Sequence, residues 1–282
     1  MADRPLEGKV AIVTGAGSAI GMGRSMTLAL VRAGARVAMT DINPEALERS
    51  AADAREIAGR DCVLSLVADV SEPADAERTV QQTIAGLGGL HIVVNNAGTN
   101  PRNVGLGTGQ ETNAWQVRPE AWTKVVAVNF SGPFFMIRAA VGHLLAQRWG
   151  RILGVTTSLD TMYRKGAAPY GPSKAGHEAL MATIAQELEG TGVTANVLVP
   201  GGPVNTNLLG QDTPFDRAAL IQPDVMQRPV VWLASDASDA INGKRFIAYH
   251  WDEALPLEQR LEKCSAPLAW PQLGGQAVYP GR

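Results

Sequence analysis

The stretch VAIVTGAGSAIGMGRSMTLALVRAGARVAMTD, residues Val10–Asp41, decides the fold. It opens on an apolar, β-branched run, Val10–Thr14, that reads as a strand. Glycines follow at Gly15, Gly17, Gly21 and Gly23, and Ser25–Ala33 then carries helical periodicity. After Gly34 a second apolar run, Val37–Thr40, ends at Asp41. Strand, helix and strand in so few residues make a right-handed crossover between parallel neighbours. Glycines at the first turn let the backbone bend sharply and bring its amides close to an anion at the helix N-terminus. A dinucleotide pyrophosphate is held in this way, which makes Gly15, Ser18, Ile20, Gly21 and Met22 candidate contacts. Asp41, with Ile42 beside it, stands where an acidic side chain accepts hydrogen bonds from the adenosine ribose and repels a 2′-phosphate. NAD is therefore favoured over NADP. Asp41 can also cap the next helix together with Asn43, ahead of Pro44, and the two roles are compatible.

The same rhythm continues outward. Cys62–Val67, Ile92–Val94, Ile152–Thr156 and Thr194–Val199 read as further strands. Pro44–Ala58, Pro73–Leu87, Trp122–Gln147 and Ser173–Gly190 read as helices between them. The expected fold class is α/β, a doubly wound, Rossmann-like parallel sheet forming a single domain over residues 1–248. Residues 249–282, with Trp251, Trp270, Tyr279 and several prolines, read as an irregular extension packed on the domain or on a neighbouring subunit. Asn100–Arg118, rich in Gly, Asn and Thr, reads as a surface loop at the C-terminal edge of the sheet.

Composition narrows the partners. The 282 residues carry a net charge of −2 and are 45% hydrophobic and 18% charged, an ordinary globular balance. No basic stripe calls for nucleic acid and no polybasic patch calls for a membrane surface. The N-terminus shows no signal-peptide pattern, and no run of 18 apolar residues occurs. Cys62 and Cys264 have neither metal nor disulfide spacing, which points to reduced thiols and a cytoplasmic location. His91, His143, His177 and His250 make no metal pattern.

Tyr170 and Lys174 lie four residues apart and share one helix face. Pro172 fits a helix only in its first turn, which sets Tyr170 at the helix start. A phenol there can act as acid or base. Its ordinary pKa near 10 should fall beside an ammonium and the positive helix end.

Thr14-Gly15, Gly21-Met22-Gly23, Asp69-Val70, Asn95-Asn96-Ala97-Gly98, Asn129, Tyr170 with Lys174, and Pro200-Gly201 occur in this order. Together, over roughly residues 6–247, they resemble the short-chain dehydrogenase/reductase family. The resemblance implies hydride transfer between NAD(H) and an alcohol or ketone carbon, with Tyr170 handling the proton. It places Asp69 and Val70 at the adenine, and Asn96, Ala97 and Gly98 along the ribose and central strand. Pro200, Gly201, Val204 and Thr206 fall by the nicotinamide, Lys174 on its ribose, and Asn129 in a water relay to the lysine. The family's substrate-orienting serine, thirteen residues before the tyrosine, falls on Thr157 here, with Ser158 one residue on. Neighbours on an extended segment face opposite ways, so one of the two serves and both stay candidates. The family has three residues between its first two glycines and this chain has five, so Ala16–Ile20 must bulge. The family pattern also implies a homodimer or homotetramer joined through Trp122–Gln147 and Ser173–Gly190.

The partner expected from all this is a small-molecule alcohol or ketone. Its shape would be set by Asn100–Arg118, by Leu208–Gln222 with Leu208, Leu209, Phe215 and Leu220, and by the tail. The rival readings are an epimerase or dehydratase on the same scaffold, and a nucleotide-binding sensor or scaffold protein without turnover.

Overall fold

The computed structural model describes residues 4–105, 113–210, 213 and 215–271. Its centre is a sheet of order β3-β2-β1-β4-β5-β6-β7-β8. The strands are β1 Val10–Thr14, β2 Arg36–Asp41, β3 Val63–Val67, β4 Ile92–Asn95, β5 Gly150–Val155, β6 Val193–Val199, β7 Lys244–Ile247 and β8 Ser265–Pro267. All pair in parallel except β8, which runs antiparallel to β7. The helices are α1 Met22–Arg32, α2 Pro44–Ala58, α3 Pro73–Leu87, α4 Pro119–Val126, α5 Gly132–Ala146, α6 Leu159–Tyr163, α7 Tyr170–Glu187, α8 Gln227–Ala234 and α9 Leu257–Cys264.

Residues alternate along each strand between two apolar layers. Ala11, Val13, Val37, Met39, Val94, Leu153 and Phe246 face the layer that holds residues of α1, α2 and α8. Val10, Ile12, Val93, Ile152 and Val197 face the layer that holds residues of α3, α5 and α7. Parallel strands covered on both faces are apolar on both, which is why these segments read as unbroken runs. The chain moves outward from β1 to β3, then crosses back to β4 beside β1. The crevice at the carboxyl ends of β1 and β4 is thus the switch point where ligands bind in such sheets.

Three differences from the sequence reading have physical causes. The helix expected over Trp122–Gln147 is interrupted by a π turn at Ala127–Ser131. Pro133, two residues beyond it, has no N–H for the carbonyl of Asn129 four residues back, so a regular α ladder cannot pass this point. The span Pro119–Ala146 is long and apolar enough by composition to cross a membrane. Here Met136, Ile137, Ala140 and Leu144 are buried on the sheet.

The second difference is the tail, which is not irregular throughout its described part. It forms α9 and then β8, which extends the sheet beyond β7. Trp251 packs on Trp232 at 5.4 Å between ring centroids, with the Arg260 guanidinium 5.0 Å from the Trp251 ring centre. Cys264 and Leu268 enter the two core layers. Tyr279 lies outside the described residues, as does part of the Asn100–Arg118 loop. Third, β7 has no apolar run to betray it, because Lys244 and Arg245 occupy half of its length. Arg245 is buried all the same, for a reason found in the site.

Candidate active site

The glycine turn is shaped by close approaches. Gly15 has φ +66°, and a Cβ on it would lie 2.7 Å from the Ala97 Cα. A Cβ on Gly23 would lie 2.3 Å from the Gly15 carbonyl oxygen and 2.6 Å from the Asn96 amide nitrogen. The Gly17 N–H donates to Asp41 Oδ2 at 2.9 Å, and Asn43 N–H donates to Oδ1 at 3.0 Å. The Asp41 carboxylate therefore ties the turn to the end of β2 while retaining lone pairs for a ribose hydroxyl. The expected bulge is found at Ser18–Gly21, closed by Gly21 N–H on the Ser18 carbonyl at 2.9 Å, with Ala19 and Ile20 exposed. Asn207 Nδ2 donates to the Ser18 hydroxyl at 3.1 Å, so the longer turn reaches across to the segment after β6. Met22 opens α1, and Ile42 is 62% exposed beside Asp41.

Asn96 braces the two strand ends at the switch point. Its Nδ2 donates to the Thr14 carbonyl at 2.8 Å and the Gly15 carbonyl at 3.1 Å. The Thr14 hydroxyl accepts from the N–H groups of Asn96 and Ala97, each at 3.0 Å. Gly98 is exposed, and a Cβ there would sit 3.3 Å from Lys174 Nζ. Asp69 accepts from Ser71 and from Lys124 Nζ at 2.9 Å. Burial raises its pKa, but these hydrogen bonds outweigh it and hold the carboxyl below the usual range. Val70 is buried, with its side chain against Gly132. After β6, the Pro200 carbonyl accepts from Tyr249 N–H, and Gly201 bends with φ +108°. Val204 bridges to Ile221, and Thr206 is buried between them in sequence.

On the same rim, α7 begins at Tyr170, with Pro172 in its first turn. The Thr157 side chain lies close enough to the Tyr170 hydroxyl to lower its pKa. The Ser158 hydroxyl instead pairs with Thr161 Oγ1 at 2.8 Å, inside the turn that starts α6. Lys174 Nζ donates to the Val155 carbonyl at 2.8 Å and keeps two N–H donors. Asn129 is buried in the π turn. Its Oδ1 accepts from Thr99 N–H at 2.8 Å, and its Nδ2 donates to the Thr99 carbonyl at 2.9 Å and to Ser173 Oγ at 3.0 Å.

The expected lowering of the Tyr170 pKa is not what this geometry produces. Burial pushes the phenol up to about 12, and the Thr157 side chain offsets only part of that. Burial also pulls Lys174 down to about 8. Both shifts favour the uncharged form, because enclosing either group removes water from its charge. Desolvation outweighs the ammonium and helix-end effects expected from spacing alone.

Sequence reasoning missed three polar residues behind the site. Glu178, fully buried one turn beyond Lys174, accepts from the Thr156 hydroxyl at 2.8 Å and from Arg245 Nη1 at 2.7 Å. Arg245 Nη2 also donates to the Thr157 carbonyl at 3.0 Å. The only available signal was the spacing of Tyr170, Lys174 and Glu178 at four-residue intervals along one helix face. Nothing local marks Arg245.

Fold and rim together are those of a nucleotide-binding α/β oxidoreductase. The short chain dehydrogenase family model matches residues 9–216. A short-chain type dehydrogenase/reductase of Picea abies is 33% identical over 85% of this chain and 90% of its own length. The 4-formylbenzenesulfonate dehydrogenase TsaC1/TsaC2 of Comamonas testosteroni is 33% identical over 84% of this chain and 95% of its own. Among solved structures, levodione reductase superposes with TM-score 0.74 at 25% identity, covering 84% of this chain and 94% of that one. The chain belongs to the short-chain dehydrogenase family, and with it to the NAD(P)-dependent oxidoreductases.

Proposed function

We propose that the protein transfers a hydride between NAD(H) and an alcohol or ketone carbon of a small molecule, with Tyr170 as the acid–base group. The observation that carries this reading is the meeting of α7 with the carboxyl end of β5: Tyr170 opens α7, and Lys174, one turn on, holds the Val155 carbonyl two residues before Thr157.

The residues present fit a nicotinamide dinucleotide. Gly15 and Gly201 let the strand ends pack closely against Ala97 and Tyr249, Gly98 leaves room beside Lys174 Nζ, and Lys174 has two N–H donors left for ribose hydroxyls. Gly15, Ser18, Ile20, Gly21 and Met22 would hold the pyrophosphate, and Asp41 with Ile42 the adenosine ribose. Asp69 and Val70 would border the adenine, Asn96, Ala97 and Gly98 the ribose side, and Pro200, Gly201, Val204 and Thr206 the nicotinamide. When bound, the cofactor supplies or accepts the hydride. The chain's own part is positional and protonic. The Thr157 hydroxyl orients the substrate oxygen, and Tyr170, which keeps its proton at neutral pH, donates it to a carbonyl oxygen. Asn129 holds the Thr99 backbone and Ser173 in place behind Lys174.

The test is loss of NADH absorbance at 340 nm with a panel of carbonyl compounds. Reduction of at least one is expected. Tight NADH binding with no turnover of any would refute the assignment in favour of a sensor. Thr157→Ala should lower kcat roughly a hundredfold, within the range of a lost catalytic contact. Ser158→Ala should leave it within about threefold, since its hydroxyl serves the local α6 turn. Carbonyl reduction should decline as pH rises through about 8, where Lys174 loses its proton, and hold level below it. A pH–rate profile checks the sign: a limb falling toward acid over that range would contradict it. Asp41→Ser should raise the NADPH-to-NADH ratio of kcat/KM by about tenfold or more, because removing the carboxylate removes its repulsion of the 2′-phosphate.

The same reading includes a second copy of the chain. Phe130, Phe134 and Leu145 are exposed along the π turn and α5, and Trp122 on α4 joins them. These apolar side chains on the face opposite the sheet support a homodimer, or a homotetramer built from it.

A further inference from the structure

The Arg245–Glu178 ion pair is the most enclosed pairing of opposite charges among the described residues, with side chains 6% and 0% exposed. Burying two charges costs several kcal/mol per ion before their attraction returns it, so apolar residues of similar size would stabilise the core at least as well. What they could not do is direct a polar backbone. The chain leaves β5 through Val155, Thr156 and Thr157, and each is held by a different polar group. Lys174 Nζ holds the Val155 carbonyl at 2.8 Å. Glu178 Oε2 holds the Thr156 hydroxyl at 2.8 Å. Arg245 holds the Thr157 carbonyl at 3.0 Å with one nitrogen and Glu178 Oε1 at 2.7 Å with another.

These contacts bear on which hydroxyl faces Tyr170. With the Thr156 side chain fixed toward α7 and the Thr157 carbonyl fixed toward β7, rotation of the intervening peptide is blocked. The Thr157 hydroxyl is then left on the Tyr170 side. A rotation would turn it away and bring the neighbouring Ser158 segment round, which is the ambiguity an extended run presents.

We propose that Arg245 and Glu178 are positioning residues for the reaction, holding the end of β5 so that the Thr157 hydroxyl meets Tyr170. This rests on the roles proposed above for Thr157 and Tyr170. Neither residue touches the reacting atoms. Arg245 is required as an arginine, because its planar fork reaches two acceptors at once and a lysine ammonium cannot span them in the same geometry.

The experiment compares the wild type with Arg245→Lys and with the paired replacement Arg245→Met/Glu178→Met. The paired variant leaves no buried charge unmatched. Its thermal midpoint and NADH dissociation constant should stay near wild type. Its kcat for the fastest carbonyl of the panel should drop about ten- to a hundredfold, the size of effect expected from a misplaced catalytic contact, with KM for NADH unchanged. Arg245→Lys should fall between the two. An activity-independent readout is the nuclear Overhauser contact between the labelled Thr157 methyl and the Tyr170 ring, which should weaken in the paired variant. A folded paired variant with wild-type kcat and an intact contact would overturn the proposal and leave the ion pair a purely structural link. Should the paired variant fail to fold, Arg245→Lys decides by the same two readouts. If the wild type reduces no carbonyl, the assigned reaction fails, and the methyl–ring contact still decides the positioning.

Discussion

Replacing Tyr170 with Phe should lower kcat for carbonyl reduction roughly a hundred- to ten-thousandfold, the range measured for loss of a positioned proton donor. The substitution removes one oxygen and keeps the ring, so packing around the start of α7 is preserved. Its cost to stability should be no more than about 1 kcal/mol, the size of one net hydrogen bond. NADH binding, measured by fluorescence titration, should remain within about threefold of wild type, because the proposed contacts to the cofactor come mainly from the glycine turn, Asp41, Lys174 and Gly201. The raised pKa of the phenol matters here. A group that holds its proton up to about 12 is fully protonated at neutral pH, as the proposed acid for carbonyl reduction has to be. A Tyr170→Phe variant with undiminished kcat would assign the proton to another group.

The second large effect is expected from Gly23→Ala. A Cβ there would lie 2.3 Å from the Gly15 carbonyl oxygen and 2.6 Å from the Asn96 amide nitrogen. Real Cβ atoms do not approach other atoms so closely: the first neighbour is backbone, and the second is a side-chain amide held by its bonds to the Thr14 and Gly15 carbonyls. α1 must lift away from the turn, or the turn must move off β4 and break the Asn96 hydrogen bonds to Thr14 and Gly15. Overpacking of this kind costs about 1–3 kcal/mol and sometimes more. Both routes displace the amides that would face the pyrophosphate, so NADH affinity should fall more than about tenfold. The pairing of a lower thermal midpoint with weakened NADH binding is diagnostic. Retention of both at wild-type values would show that the turn does not need this contact. Gly59→Ala serves as a comparison, since no atom lies within 4 Å of its Cβ, although its φ of +88° still adds strain.

Much of the molecule was legible because it is written locally. The β1–turn–α1–β2 unit could be read from apolar runs, four glycines and an acidic strand end. Pro172 placed Tyr170 at a helix start, and the structure begins α7 there. The two extra residues in the glycine turn were visible as a spacing, and they form the Ser18–Gly21 bulge. The failures share a different character. β7 carries two basic residues in four positions and becomes a strand through its neighbours, since Arg245 is matched by Glu178 and Phe246 packs on Trp232. The tail offers prolines and aromatics that resemble a loose strap, yet β8 finds an open edge on β7 and uses it.

The Tyr170–Lys174 pair shows where the boundary lies. The chemical identities and their four-residue spacing are properties of the chain, and helix geometry converts that spacing into a shared face. Their protonation is a property of the enclosure, because the free energy of a charge depends on how much water surrounding residues leave around it. The choice between Thr157 and Ser158 is likewise not contained in the segment itself. Both hydroxyls are chemically fit; that of Ser158 pairs locally with Thr161, while the backbone at Thr157 is held from a strand 88 residues farther along the chain. Sequence alone determined the strand–helix order, the glycine turn and the shared helix face of Tyr170 and Lys174, all of which depend on interactions within a turn or two. Tertiary structure decided the direction of each hydroxyl and the burial of each charge, since both depend on atoms that become neighbours only when the sheet has assembled.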